Sequence, residues 1–285
     1  MSPHLLAVGD NVVDCYPDLG VMFPGGNAVN VAVHARRVGA ASTYLGAVGT
    51  DVAGALVRGS LVSEGVDISL SRTVEGPNAF AIVRVVEGNR VFEHGDVGVS
   101  RFRVTDADLE RAAAANVVHT GECSMVEGDL PRLAEAARLL SFDFSERPWE
   151  YVEEHAPLIS VAVLSAASVD EDPVLLARRV AALGPRLVAV TQGPGGATLL
   201  ADGRVYRAPA GSGPIVDTLG AGDAFIARLL VGLARNEEPE ALLPAATSYA
   251  TASCAEHGAF GHEAQLPPSY LSTSGVSATS MAATS

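Results

Sequence analysis

The sequence contains no lysine, and its 19 strongly basic residues are all arginine. This absence excludes a P-loop, whose lysine contacts nucleotide phosphates, and the protein-kinase fold, whose strand lysine does the same. It also excludes pyridoxal phosphate chemistry, which needs a lysine to form the Schiff base. Any phosphate site in this chain must therefore rely on backbone amides, bound Mg²⁺ and arginine.

Cysteine is scarce as well, and Cys15, Cys123 and Cys254 are widely separated. Their odd number and their spacing suggest neither a disulfide framework nor a zinc knuckle, and they favour reduced thiols. No apolar run reaches the roughly 18 residues of a spanning helix, and the N-terminus lacks the pattern of a signal peptide. We therefore expect a cytoplasmic protein without a membrane partner.

Basic residues are also few relative to acidic ones, since 33 aspartates and glutamates against 19 arginines give a formal net charge of −14. This charge repels phosphodiester backbones and argues against nucleic acid as the main partner. Anionic membranes are disfavoured for the same reason. A small-molecule partner is compatible with it, and so is a free nucleotide, because Mg²⁺ and local backbone dipoles offset phosphate charge.

Short apolar runs alternate with amphipathic helical patterns along most of the chain. Residues 5–9 predict a first strand, and residues 27–39 predict a helix with Asn27 as its N-cap and Gly39 as its stop. Further strands are predicted near 42–48, 116–120, 141–144, 159–164 and 186–191. Further helices are predicted near 53–64, 106–115, 129–140, 173–183, 222–235 and 239–256. This alternation predicts an α/β fold with a central, mainly parallel β-sheet and helices on both faces.

One β-rich segment interrupts the alternation. Residues 78–86 and 90–94 predict an antiparallel hairpin, which does not easily join a parallel core. A small β lid over a site and an ordinary edge hairpin are both open interpretations. We expect a single domain over residues 1–268 with this hairpin inserted at about 76–95, followed by a serine-, alanine- and threonine-rich tail at 269–285 that is disordered.

The most informative motif is a stretch of mostly small residues, Asp217-Thr218-Leu219-Gly220-Ala221-Gly222-Asp223, followed by an apolar run at 224–234. Small residues let the backbone turn sharply into a helix whose first amides have no intrahelical partner. Those amides and the helix dipole form an anion hole suited to a transferring phosphoryl group. Asp223, at the helix start, is a candidate general base. The alternative is that Asp223 only caps a helix.

Two N-terminal segments carry polar side chains, one after a predicted strand and one at the start of a predicted helix. Asp10 and Asp14 follow the first predicted strand, and the segment Gly25-Gly26-Asn27-Ala28-Val29-Asn30 opens the first predicted helix. Carboxylate and amide groups at strand ends and helix starts can hydrogen-bond a polyol, whose hydroxyls both donate and accept. The segments therefore predict a sugar site at one end of the sheet.

In their order and spacing, these motifs resemble the ribokinase-like (PfkB) carbohydrate kinases over about residues 4–261. The resemblance implies an ATP-dependent kinase that uses Mg²⁺, with a monovalent cation as a further candidate cofactor and a lid that can form a homodimer contact. It implies Asp223 as the catalytic base, with Gly220, Ala221 and Gly222 as the anion hole. Asp14, Gly26 and Asn30 match its sugar-binding positions, and the adjacent Asp10, Gly25 and Asn27 are further candidate substrate-binding residues. Arg90 in the hairpin is a candidate contact to a phosphate or a substrate carboxylate, with a solvated surface role as the alternative. Thr191, Gly193 and Gly196 resemble its nucleotide-binding turn, and Asp217 and Thr218 at the start of the second motif are further candidate nucleotide-binding residues.

The chain departs from this family after the strand predicted to end near 164. The family commonly places Asn-x-x-Glu there to organise Mg²⁺, but the sequence reads Ser165-Ala-Ala-Ser-Val-Asp170-Glu171. Asp170 and Glu171 are the candidate metal ligands in a shifted loop; a metal held by water and an impaired enzyme are the alternatives. The same altered region is among the features that make the chain similar to fructoselysine 6-kinase-like members, which act on an amine-bearing ketose.

Other substrates and other roles stay open at this stage. A nucleoside or another sugar such as fructose or ribose fits the same fold, and so does a non-catalytic sugar- or nucleotide-binding descendant. Asp143 follows an apolar strand, from which it can approach Mg²⁺ or the nucleotide. His119 also ends an apolar strand, and we interpret it as a satisfied core histidine rather than a metal ligand paired with Glu122.

Overall fold

The computed structural model of the protein describes residues 2–86, 89–167 and 171–270, apart from the side chains of residues 85–92 and 269. The strands in this part of the chain are β1 (His4–Val8), β2 (Val12–Tyr16), β3 (Val21–Gly25), β4 (Ala41–Leu45), β5 (Ala47–Val48), β6 (Arg72–Thr73), β7 (Phe80–Val86), β8 (Asn89–Asp96), β9 (Val117–Gly121), β10 (Leu140–Asp143), β11 (Val161–Ser165), β12 (Leu187–Thr191), β13 (Ala197–Ala201), β14 (Arg204–Ala208) and β15 (Ala264–Gln265). The α-helices are α1 (Asn27–Arg37), α2 (Val52–Ser63), α3 (Asp106–Ala114), α4 (Leu130–Ala136), α5 (Trp149–His155), α6 (Pro173–Ala181), α7 (Ala221–Ala234) and α8 (Pro239–Ser253).

The central sheet has eight strands in the order β14-β13-β12-β11-β10-β9-β1-β4. The strands from β12 to β4 run parallel, and β13 and β14 add an antiparallel edge. The predicted mainly parallel α/β fold is confirmed. The sequence patterns did not predict β13, β14 or α5, although the Asp202-Gly203 pair between β13 and β14 is typical of a hairpin turn.

Helices cover both faces of this sheet. The side chains of consecutive strand residues point to opposite faces, and each packs against the helices on its own face. In β1, Leu5 and Ala7 pack into the core cluster that includes α1, α7 and α8. Leu6 and Val8 pack into the opposite cluster with α4 and α6. Both faces are buried, which is why the strands read as continuous apolar runs rather than as an alternating pattern.

A second sheet has five strands in the order β15-β3-β2-β7-β8, and it packs Val13, Met22 and Ile82 against the core on the α1 side of the central sheet. The predicted hairpin is confirmed as β7 and β8, and it lies outside the parallel sheet. That this sheet acts as a lid stays a prediction. The hairpin turn residues 87 and 88 and the predicted tail from 271 onward lie outside the described part of the chain.

The order of the strands creates a crevice beside β1. From β1 the chain builds outward to β4 on one side, whereas β9, β10, β11 and β12 follow one another on the other side. Loops leaving β1 and β9 therefore diverge at the carboxyl ends of these strands, where open α/β sheets bind their ligands.

No helix within residues 2–270, wherever these are described, is long and apolar enough to cross a membrane.

Candidate active site

The first turns of α1 and α7 meet at the crevice, and they meet through Asp223. Asn27 Nδ2 donates to Asp223 Oδ1 at 2.7 Å, and Asn30 Nδ2 donates to Asp223 Oδ2 at 2.7 Å. Asn27 and Asn30 are three positions apart in a helix, so both side chains reach the same side. The two oxygens of the carboxylate are thus held by residues 196 and 193 positions away along the chain.

The first turn of α1 is anchored by Asp10 from the end of β1. Asp10 Oδ2 accepts a hydrogen bond from the Asn27 backbone N–H at 2.9 Å, and Oδ1 accepts one from the Ala28 N–H at 3.2 Å. Ser124 Oγ also donates to Oδ1, at 2.9 Å. The buried Asp10 carboxylate therefore caps this helix, and a contact between Asp10 and substrate stays a prediction.

The prediction that Asn27 is the N-cap of α1 is wrong by one residue. The N-cap is Gly26, which has φ 104 and no side chain to offer. A Cβ at Gly26 would stand 2.7 Å from the Asn11 Cα, so both the positive φ and the close backbone favour glycine. Because Asp10 supplies the capping oxygens, the Asn27 side chain is available for other contacts.

The Asp14 and Gly25 positions come together on the second sheet. Asp14 is buried on β2, and a Cβ at Gly25 on β3 would lie 2.5 Å from the Asp14 Oδ2. The absence of a side chain at Gly25 therefore makes room for the Asp14 carboxylate beside the first turn of α1. Substrate binding by Asp14, Gly25 and Gly26 stays a prediction.

The N-terminus of α7 faces open space. Its N-cap Gly220 lies in the left-handed region with φ 72, and no side chain caps the helix. The Ala221 N–H donates to the Thr218 carbonyl at 3.2 Å. A Cβ at Gly222 would meet nothing within 4 Å. An uncapped helix start with the positive end of the dipole at an open position fits an anionic group such as a phosphate.

Asp217 holds the bend that leads into α7. Its Oδ1 accepts from the Leu219 N–H at 3.0 Å, and its Oδ2 accepts from the Gly258 N–H at 3.0 Å. Asp217 is buried, and the neighbouring Thr218 is exposed. The observed contacts of Asp217 are therefore structural, and nucleotide binding by Asp217 and Thr218 stays a prediction.

A second carboxyl group, Asp143, lies beside Asp223. Asn27 Nδ2 donates to Asp143 Oδ2 at 3.0 Å as well as to Asp223. Burial raises the pKa of Asp223 to about 8; the negative charges of Asp143 and Asp10 add to this rise, while the bonds from Asn30 and Asn27 oppose it. Burial likewise raises the pKa of Asp143 to about 7. The negative charges of Glu122 and Asp10 add to the rise at Asp143, because neighbouring negative charges disfavour ionisation.

The predicted nucleotide-binding turn lies at the same edge of the sheet. Thr191 ends β12, and its Oγ1 donates to the Leu164 carbonyl at 3.3 Å. Gly193 and Gly196 have φ 53 and φ 89. A Cβ at Gly196 would stand 2.1 Å from the Ala208 carbonyl oxygen, so the turn requires glycine there. The roles of these residues toward a nucleotide stay predictions.

Metal binding by Asp170 and Glu171 stays a prediction. The Glu171 carboxylate lies 3.9 Å from the Arg179 guanidinium, while Asp170 and the Arg90 side chain lie outside the described residues. Among the residues that are described, no group of three or more histidine, cysteine, aspartate or glutamate side chains is arranged to hold a metal ion. Mg²⁺ commonly binds through nucleotide phosphates, water and only one or two carboxylates, which does not require such a group.

Comparison with known proteins agrees with this geometry. Residues 10–142 and 161–263 match the pfkB family carbohydrate kinases. The chain is 38% identical over 265 residues to the fructosamine kinase FrlD of Bacillus subtilis, covering 90% of this chain and 93% of that protein. It is 33% identical over 259 residues to the fructoselysine 6-kinase of Escherichia coli, covering 90% and 99%. The ribokinase of Arabidopsis thaliana, solved with ribose and ATP, superposes with a TM-score of 0.80 at 21% identity over 92% of this chain and 96% of that one, which shows the shared fold.

Proposed function

The chain belongs to the pfkB family of carbohydrate kinases, and from this premise we propose that it transfers the γ-phosphoryl group of ATP to the 6-hydroxyl of a fructosamine such as fructoselysine. The observation that carries the kinase chemistry is the Asp223 carboxylate, held through both oxygens at the uncapped start of α7. The substrate class rests on the 38% and 33% identity to two kinases named for fructosamine and fructoselysine.

In the proposed reaction, Asp223 takes the proton of the substrate hydroxyl. The hydroxyl oxygen forms a bond to the γ-phosphorus, and the bond from that phosphorus to the bridging oxygen of ADP breaks. Phosphoryl transfer passes through a loose transition state, so the hydroxyl proton leaves late and positioning counts for more than basicity. Asn27 and Asn30 supply this positioning, because their amides hold the orientation of the Asp223 carboxylate.

The start of α7 would receive the charge of the transferring group. Its first amides and its dipole stabilise negative charge without moving, which lowers the barrier to phosphoryl transfer. This role suits a chain without lysine. Binding of ATP by Thr191, Gly193 and Gly196, Mg²⁺ near Asp170 and Glu171, a monovalent cation, a homodimer through the lid and a cytoplasmic location complete the proposal and stay predictions.

A substrate panel tests the proposed function directly. We expect the full chain with Mg²⁺ and ATP to form ADP with fructoselysine at a kcat/KM at least about tenfold above that with fructose, ribose or adenosine, since a site built for polar groups rejects analogues that lack them. The product should carry its phosphate on the 6-hydroxyl by phosphorus NMR. A preference for adenosine would favour a nucleoside kinase instead. Calorimetric binding of sugar and ATP with no ADP formed would favour a non-catalytic descendant.

The raised pKa of Asp223 predicts an unusual pH dependence. Since the base must be ionised, kcat/KM should rise with pH through the range of about 7 to 8 set by the Asp143 and Asp223 pair. Asp143→Asn removes a neighbouring negative charge, so the rise should move to lower pH by about one unit. Initial rates between pH 5.5 and 9.5 measure both profiles. A wild-type profile already flat above pH 5 would contradict the prediction.

A further inference from the structure

The Asn27 amide is one end of a hydrogen-bond chain that runs into the core of the central sheet. Ser141 Oγ lies 3.1 Å from His119 Nδ1, and His119 Nε2 lies 3.1 Å from Asn27 Oδ1. His119 on β9 and Ser141 on β10 are completely buried. At its other end, the chain reaches both site carboxylates through Asn27 Nδ2.

When both site carboxylates are ionised, as the base form of Asp223 requires, the chemistry of these groups determines the direction of every bond in this hydrogen-bond chain. An amide nitrogen has two hydrogens, and Asn27 uses them on Asp143 and Asp223. Its Oδ1 can only accept, so His119 Nε2 must carry the hydrogen. Burial lowers the pKa of His119 to about 3, which keeps the ring neutral. A neutral ring has a single N–H, and therefore Nδ1 accepts from the Ser141 hydroxyl.

The opposite orientation of the amide is unfavourable. With the Asn27 amide rotated by 180°, its oxygen would face two ionised carboxylates, which can only accept, whichever tautomer His119 adopts. The amide also fits closely against β9. A Cβ at Gly121 would stand 2.6 Å from Asn27 Oδ1 and 3.1 Å from its Cγ. Gly121 has an extended backbone with φ −150, so the requirement there is for space and not for a special conformation.

From this arrangement we propose that His119 and Ser141 are positioning residues, which fix the Asn27 amide in the one orientation that donates to both Asp143 and Asp223. His119 does not touch substrate in this proposal and acts only through Asn27. His119 is buried in the core, as the sequence predicted, and it therefore orients the general base Asp223 through the Asn27 amide. Its effect on turnover rests on the proposed function, whereas the direction of the hydrogen bonds does not.

A double-mutant cycle tests whether His119 acts through Asn27. His119→Leu removes the N–H at similar volume and should lower kcat about tenfold to a hundredfold, with little change in the KM for ATP. In an Asn27→Ala background, His119→Leu should have no further effect on kcat, because the amide through which His119 acts is already absent. His119→Gln, whose amide can donate in place of Nε2, should recover kcat to within about threefold of wild type. Full additivity, or no rescue by glutamine, would overturn the proposal.

Two further measurements separate positioning from general damage. His155→Leu removes another buried histidine, at the end of α5, and should lower the melting temperature without changing kcat. The nitrogen-15 spectrum of histidine-labelled wild-type protein at pH 9.5, where both site carboxylates are ionised, should show His119 as a neutral ring protonated at Nε2, with the signal assigned through correlations to the His119 backbone. A ring protonated at Nδ1, or at both nitrogens, would overturn the proposal even if no His119 variant folds or the activity assay fails.

Discussion

Asp223→Asn should reduce kcat by at least about a hundredfold, the range expected when a positioned general base is removed. Asparagine has nearly the same shape, but its amide cannot take the hydroxyl proton. The fold should persist, because the Asn30 Oδ1 is buried without a hydrogen-bond partner. That oxygen can turn to accept from the new amide. ATP binding should also persist, since the start of α7 keeps its conformation.

The measurements are the rate of ADP formation, calorimetric titration with ATP and thermal unfolding. Asp106→Asn is a matched control, because Asp106 also lies in the first turn of a helix, α3, but its side chain is 96% exposed and pairs with Arg132. The control loses the same interaction with a helix dipole and should keep its kcat. A kcat for Asp223→Asn within about threefold of wild type would remove Asp223 from the proposed mechanism.

Gly220→Ala should damage both the fold and the reaction. Gly220 has φ 72, where alanine costs roughly 1–2 kcal/mol of strain. A Cβ there would also stand 2.5 Å from the Ala259 Cβ and 2.9 Å from its Cα. The overlap pushes the start of α7 away from the loop at 258–260. We expect a loss of about 2–4 kcal/mol in the free energy of unfolding, as strain and overpacking combine.

The activity of this variant should fall further than its stability explains. A displacement of about 1 Å at a positioning group can cost a hundredfold in rate, and Gly220 precedes both Asp223 and the α7 amides that we propose to bind the transferring phosphoryl group. Urea unfolding and kcat at a temperature where the variant is folded measure the two effects separately.

Gly203→Ala is the matched control for this strain. Gly203 has a similar φ of 78, but nothing lies within 4 Å of its Cβ position. It should lose only the roughly 1–2 kcal/mol of backbone strain and keep its kcat. If Gly220→Ala loses no more stability and no more kcat than Gly203→Ala, the start of α7 does not depend on the close contact between Gly220 and Ala259.

Local sequence patterns predicted the parallel core well and the second sheet poorly. The helices α1, α2, α3, α6, α7 and α8 begin and end within about three residues of their predictions, because the hydrophobic period and the terminal glycines act locally. No local pattern predicted the strands β2 and β3. Val12–Tyr16 contains Asp14 and Cys15 among five residues, and its pairing with β7 depends on a segment far along the chain. A short strand of this kind has no periodic signal of its own.

The sequence by itself determined the α/β class, the order of its elements, the bend into α7 and the exclusion of every lysine-dependent phosphate site. These properties depend on residues close together in the chain or on composition. Only the tertiary structure decided that Asp10 caps α1, and that Asn27 joins His119, Asp143 and Asp223, which lie 92, 116 and 196 positions away. The physical reason is that hydrogen-bond partners are chosen by distance and direction in space, and a parallel sheet brings together the ends of strands that are remote in sequence.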